Sequence, residues 1–157
     1  MRILLPAALT LLLLGCDSPA PPAPPASQTS FDTTTSVKEL MGWMIDPSAR
    51  ALWASTGSEE TAEGTRDFAP TTDEEWTRLR SHAVTVLESG NLLMLPGRAR
   101  DQNDWTKLSR AMTDTARTVL EAIEAKDTEA LFATGGDLYQ TCTDCHALYL
   151  IPAGPSQ

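Results

Sequence analysis

Between residues 37 and 149 apolar side chains recur at steps of three and four in separate stretches, the spacing that places them on one face of an α-helix. The first stretch holds Val37, Leu40, Met41, Met44, Ile45 and Leu52. Ser36 and Glu39 match a capping box, so a helix is predicted to start there. Asp46-Pro47 interrupts it, either as a kink or as the N1 proline of a second segment. Residues 54–71 are polar, contain glycine and show no period, which predicts a long surface connection without strands. A second capping box, Thr72 with Glu75, opens a helix carrying Trp76, Leu79, Ala83, Val86 and Leu87 on one side, with Gly90, Pro96 and Gly97 bounding its end. Asn103 or Asp104 then caps a third helix with Trp105, Leu108, Met112, Ala116, Val119 and Ile123 inward. After a turn at Lys126-Asp127 the last helix runs from about Thr128 to Tyr149, and Pro152 stops it.

Four amphipathic helices with two short connections predict an all-α fold, an antiparallel up-down-up-down four-helix bundle over residues 36–152 with a short tail at 153–157. That topology brings the start of helix one, the end of helix two, the start of helix three and the end of helix four to one pole.

The N-terminal stretch has a different character. Residues 1–15 read as an export signal, a Met1-Arg2 n-region followed by an apolar run from Ile3 to Leu14 that Pro6 interrupts. The run is too short for a spanning helix, which needs roughly 20 residues. Leu13-Leu14-Gly15-Cys16 resembles the lipobox of bacterial lipoproteins, which implies cleavage before Cys16 and a lipid on its thiol. Under the enterobacterial sorting rule for such proteins, Asp17 favours the inner membrane. Residues 16–35 are rich in Pro, Ala, Ser and Thr and read as a tether that holds the domain off the membrane.

The chain has 157 residues, 12 Lys+Arg against 21 Asp+Glu, and a formal net charge of −9. Cleavage after residue 15 removes Arg2 and leaves the mature chain near −10. This charge disfavours nucleic acid as a partner and suits steering toward a basic docking patch on a partner protein. A homodimer is compatible with it. No constellation of catalytic acid, base and nucleophile stands out, so an enzyme is not expected.

The cysteine count is odd, and lipidation of Cys16 leaves one pair. Cys142-Thr143-Asp144-Cys145-His146 is a C-x-x-C-H motif, the signature of covalent haem c attachment. Two thiols three residues apart project from one side of a helical turn, where they can add to the two vinyl groups, and the adjacent imidazole reaches the iron. A redox-active CxxC sits instead at a helix start after a strand. A zinc site needs a fourth ligand, and the only other histidine is His82.

With these residues in place the chain resembles the class II c-type cytochromes, in their low-spin, Met-ligated branch. The resemblance rests on Leu40-Met41 with Asp46-Pro47 and Trp53, on Gly90-Asn91-Leu92-Leu93-Met94 with Pro96-Gly97-Arg98-Ala99, and on Gly135-Gly136 ahead of the CxxCH. It implies a four-helix bundle, His146 as the proximal ligand, Met41 as the distal ligand, and one-electron transfer on the periplasmic side of a membrane. A departure is Gln140-Thr141, where the class often has a basic residue before the motif. The residues themselves leave the sixth ligand open among Met41, Met44, Met94 and no protein ligand. In the last case the chain is a five-coordinate binder of nitric oxide or carbon monoxide. Without haem it is an interaction module. His82 is expected to be structural, Trp43, Trp76 and Trp105 to pack in the core or at the haem edge, and Arg98 and Arg100 either to reach the propionates or to be solvated surface charges.

Overall fold

The computed structural model describes residues 30–150, and the folded unit begins at Phe31. The predicted export signal, Cys16 and most of the tether therefore lie outside the described residues, as do Pro152 and the tail. The chain is mostly helical, with one small sheet: α1 (Val37–Leu40), a π-helical segment (Met41–Ile45), α2 (Asp46–Trp53), β1 (Gly57–Thr61), β2 (Gly64–Phe68), α3 (Asp73–Leu93), α4 (Asp104–Ala125) and α5 (Thr128–Tyr149). No helix among the described residues is long and apolar enough to cross a membrane.

Both predicted capping boxes form. The Glu39 N–H donates to Ser36 Oγ at 3.3 Å and the Ser36 N–H to Glu39 Oε2 at 2.8 Å; the Thr72 N–H likewise donates to Glu75 Oε2 at 2.9 Å. The Thr71 N–H donates to the same Glu75 oxygen at 2.7 Å. These N–H donors hold the Glu75 carboxyl down at about 2, from an ordinary 4.5. The folded value lies below the unfolded one, so this stabilisation is complete above about pH 4.5 and is lost as pH falls toward 2. Urea titrations of wild type and Glu75→Gln should show a stability difference that shrinks over that window; a difference independent of pH would remove the electrostatic account.

The first helical stretch is one rod rather than two. Its backbone stays in the right-handed helical region through Leu40, Ile45 and Asp46, and the Asp46 N–H donates to the Met41 carbonyl five residues back. Pro47 has no N–H, and its ring would crowd a carbonyl of the preceding turn in a regular α-helix. One wide π turn relieves that conflict. The buried positions accordingly step by five, from Leu40 to Ile45, before Ala49 and Leu52 resume the helical step. Trp43 is thereby rotated off the apolar face and is 70% exposed, away from the core and outside the cavity lining, one or other of which the sequence led one to expect. Trp76 and Trp105 are buried as expected.

Residues 57–68 also depart from the sequence reading, since they form an antiparallel hairpin with Gly57 opposite Phe68 and Thr61 opposite Gly64. Almost every position in it is exposed.

The core joins α2, α3, α4 and α5 through Leu52, Val86, Val119, Leu131 and Leu138. α3 packs on α4, α4 on α5, and α2 on both α3 and α5. Lys126, in the left-handed conformation that ends α4, reaches Asp73 at the start of α3. α3 runs through Gly90 to Leu93 instead of ending there, and the position suits glycine because a side chain at that point would strike α4. The N-terminus of α4 is served by neither Asn103 nor Asp104; Asp101 Oδ1 accepts from the Asn103 and Trp105 N–H groups at 2.8 and 3.1 Å. Arg98 is buried, and its guanidinium donates to the carbonyls of Thr35 at 3.2 Å, Asp32 at 3.4 Å and Leu92 at 3.5 Å. It ties the segment before α1 to the α3–α4 connection, which is why the folded unit starts ahead of Ser36.

Candidate functional site

A cavity of about 620 Å³ lies among α1, the π segment, α2, the end of α3, α4 and α5, within the range of small-molecule and cofactor sites. Cys142, Cys145 and His146 line it from α5, and Met41 lines it from the head of the π segment. The three α5 residues share a side of the helix because their steps are three and four. Ile45, Ala49, Leu93, Trp105, Leu108 and Met112 supply an apolar lining. Its cations are Lys38 and Arg100, and its carboxylate is Asp46, which pairs with Arg50 at 2.8 Å.

Tyr149 closes one end. Its hydroxyl donates to Asp101 Oδ2, and its ring meets Trp105 edge-on with centroids 5.0 Å apart. The hydrogen bond to Asp101 pushes the Tyr149 hydroxyl up to about 12. The Trp105 indole in turn donates to the Leu93 carbonyl at 2.8 Å. This chain of contacts fixes the last turn of α5, one turn beyond His146, against the start of α4. Toward the other end, the Trp53 indole donates to the Gly135 carbonyl at 2.9 Å and meets Tyr139 edge-on at 5.6 Å.

Burial pushes the thiols of Cys142 and Cys145 up, and the neighbouring Cys145 and Asp46 raise Cys142 further. They are neutral, partly buried thiols. A redox-active CxxC needs the opposite, a thiolate stabilised by positive surroundings. Among the described residues no group of three or more His, Cys, Asp or Glu side chains is placed to hold a metal ion by itself. Two thiols, one imidazole and a thioether around an apolar cavity suit a porphyrin that brings its own four nitrogen ligands.

Other predicted residues fall elsewhere. Met44 packs against the core and Met94 ends α3, and neither lines the cavity. His82 lies away from it, with Nδ1 3.5 Å from Ser48 Oγ. Arg98 is committed to backbone carbonyls, so of the predicted propionate partners Arg100 alone faces the cavity. A Cβ on Gly135 would sit 3.7 Å from Trp53, an ordinary contact, and one on Gly136 would meet nothing within 4 Å. The sequence reading missed Lys38, Tyr149 as a tether of the cavity wall, and Met112 as a second lining thioether. Lys38 had a signal, because it precedes Met41 by three residues and so shares its helix face. Comparison with protein-family models, curated proteins and solved structures finds no match for this chain.

Proposed function

We propose that the protein is a lipid-anchored, periplasmic c-type cytochrome that transfers single electrons and transforms no bound substrate. The observation that carries this reading is the cavity onto which Met41, Cys142, Cys145 and His146 converge from separate elements. We infer a class II arrangement, with the α1–π–α2 rod, α3, α4 and α5 running up-down-up-down. Contacts between sequence neighbours and between the first and last helices support it, as does the pairing of the start of α3 with the end of α4.

In this reading Cys142 and Cys145 would hold haem c through thioether bonds, and His146 and Met41 would ligate its iron. Bound there, the group supplies a one-electron Fe(III)/Fe(II) couple, and His/Met ligation favours the reduced form. The apolar lining gives the group a wall of low polarity, and the Tyr149–Asp101 bond holds the helix end that carries His146. Cys16 carries the lipid, and the acidic surface steers the domain to a basic patch on its redox partner.

Export alongside a cytochrome c maturation system, followed by denaturing electrophoresis with haem staining, tests the proposal. Wild type should carry one covalent haem per chain, and Cys142→Ser or Cys145→Ser should lose most of the holoprotein. A folded wild type that emerges without haem would defeat the cytochrome reading and favour an interaction module.

A further inference from the structure

The described cations divide unevenly. Arg50, Arg66, Arg78, Arg80, Arg117 and Lys126 are each paired with a carboxylate, and Arg98 is buried on carbonyls. Among the described residues Lys38, Arg100, Lys107 and Arg110 make no such pair, in a chain with a large acidic surplus. Of these, Lys38 and Arg100 line the cavity, approaching from different parts of the chain.

They also share one end of it. Arg100 immediately precedes Asp101, which takes the hydrogen bond from Tyr149 at the end of α5. Lys38 lies near the start of the α1–π–α2 rod, whose far end is joined to α5 by Trp53 and Gly135. Asp46, eight residues beyond Lys38, lies about 12 Å further along the rod. The cavity thus has two cations without a carboxylate partner at the Tyr149 end, where Asp101 and Asp104 also lie, and deeper in the Asp46 carboxylate, which is paired with Arg50. The Asp101 carboxylate at the cationic end is already engaged by Tyr149 and by two backbone N–H groups.

We propose that Lys38 and Arg100 form an anion-binding edge that grips the carboxylates of the cavity's ligand and sets which way round it lies. The identity of that ligand as a porphyrin dicarboxylate rests on the cytochrome reading above; the anion-binding edge does not. The propionates then point to the Tyr149 end and away from Asp46. The edge replaces, from two other elements, the cation missing at Gln140-Thr141.

The test compares the midpoint potential of haem-loaded wild type with Lys38→Gln/Arg100→Gln and with Lys107→Gln/Arg110→Gln, which removes the same charge outside the cavity. Loss of the edge leaves propionate charge uncompensated, which stabilises Fe(III) and raises the propionate pKa. The cavity pair should lower the potential more than the reference pair and make it more dependent on pH between about 5 and 8. Equal shifts, or an unchanged pH dependence, would overturn the proposal. A wild type that emerges without haem refutes the cytochrome reading alone, and the dianionic apolar dye bis-ANS then serves as the probe. The cavity double variant should bind it about tenfold more weakly than the reference double variant; equal affinities would overturn the anion-binding edge.

Discussion

Gly90→Ala is expected to destabilise the fold by about 1–3 kcal/mol, lowering the melting temperature by roughly 5–15 °C. In an open helix the same change would add about 1 kcal/mol of stability. Here an added Cβ would sit 2.0 Å from Thr113 Oγ1 and 2.9 Å from the Ser109 carbonyl oxygen. Rotation of Thr113 relieves the first contact but disturbs its buried hydroxyl, which donates to the Ser109 carbonyl at 3.2 Å. The second contact involves backbone, so α3 and α4 have to separate. Gly90→Ala/Thr113→Ala should recover part of the loss and leave the part due to Ser109. Gly136→Ala is the opposite control, since nothing lies within 4 Å of its Cβ position, and it should be neutral or stabilising. A Gly90→Ala protein that melts at or above the wild-type temperature would refute so close a helix crossing.

Gly90 illustrates where sequence reading runs out. A glycine after an apolar run looks like a helix terminator, and only its facing partner on α4 reveals a contact that forbids a side chain. The hairpin was hidden for a related reason. Its strands carry Ser58, Glu59, Glu60, Thr65 and Arg66 with both faces in solvent, so no burial imprints an alternating pattern. Its two-residue loop, Ala62-Glu63, lacks the usual hairpin dipeptides. The π turn was half legible, since Pro47 announced a disturbance but not whether the rod would break, kink or widen.

What the residues did disclose was local or periodic. Ser36/Glu39 and Thr72/Glu75 are contacts within one turn, readable without a partner. The inward faces of α3 and α4 are set by helical period and bury much as expected at Trp76, Val86, Trp105 and Val119. The C-x-x-C-H run is likewise local. Its convergence with Met41 depends on how the first and last helical elements meet, and periodicity alone left Met44 and Met94 in contention. Met112 escaped notice because an inward methionine on a helix reads as core filling, and it is both buried in the core and part of the cavity wall.

Met41→Ala is expected to abolish the Met–Fe charge-transfer band of the haem-loaded protein, lower its midpoint potential and let carbon monoxide bind the ferrous form about tenfold more tightly or better. A thioether favours ferrous iron, so its removal stabilises Fe(III), and the vacated position admits an exogenous ligand. Of the described methionines, Met41 and Met112 line the cavity. Met112 is 6% exposed and embedded in the core of α4, whereas Met41 is half-buried at the head of the π segment, where the helix is widened beside the cavity. Met41→Leu separates ligation from packing, because exchanging these side chains costs less than about 1.5 kcal/mol in a core; it should lose the band as completely as Met41→Ala. Met112→Leu and Met44→Leu should keep it. Loss of the band in Met112→Leu with its survival in Met41→Leu would move the ligand to α4. A wild type that binds carbon monoxide as readily as Met41→Ala would mean that no methionine holds the iron, and the five-coordinate gas-binding alternative would replace electron transfer.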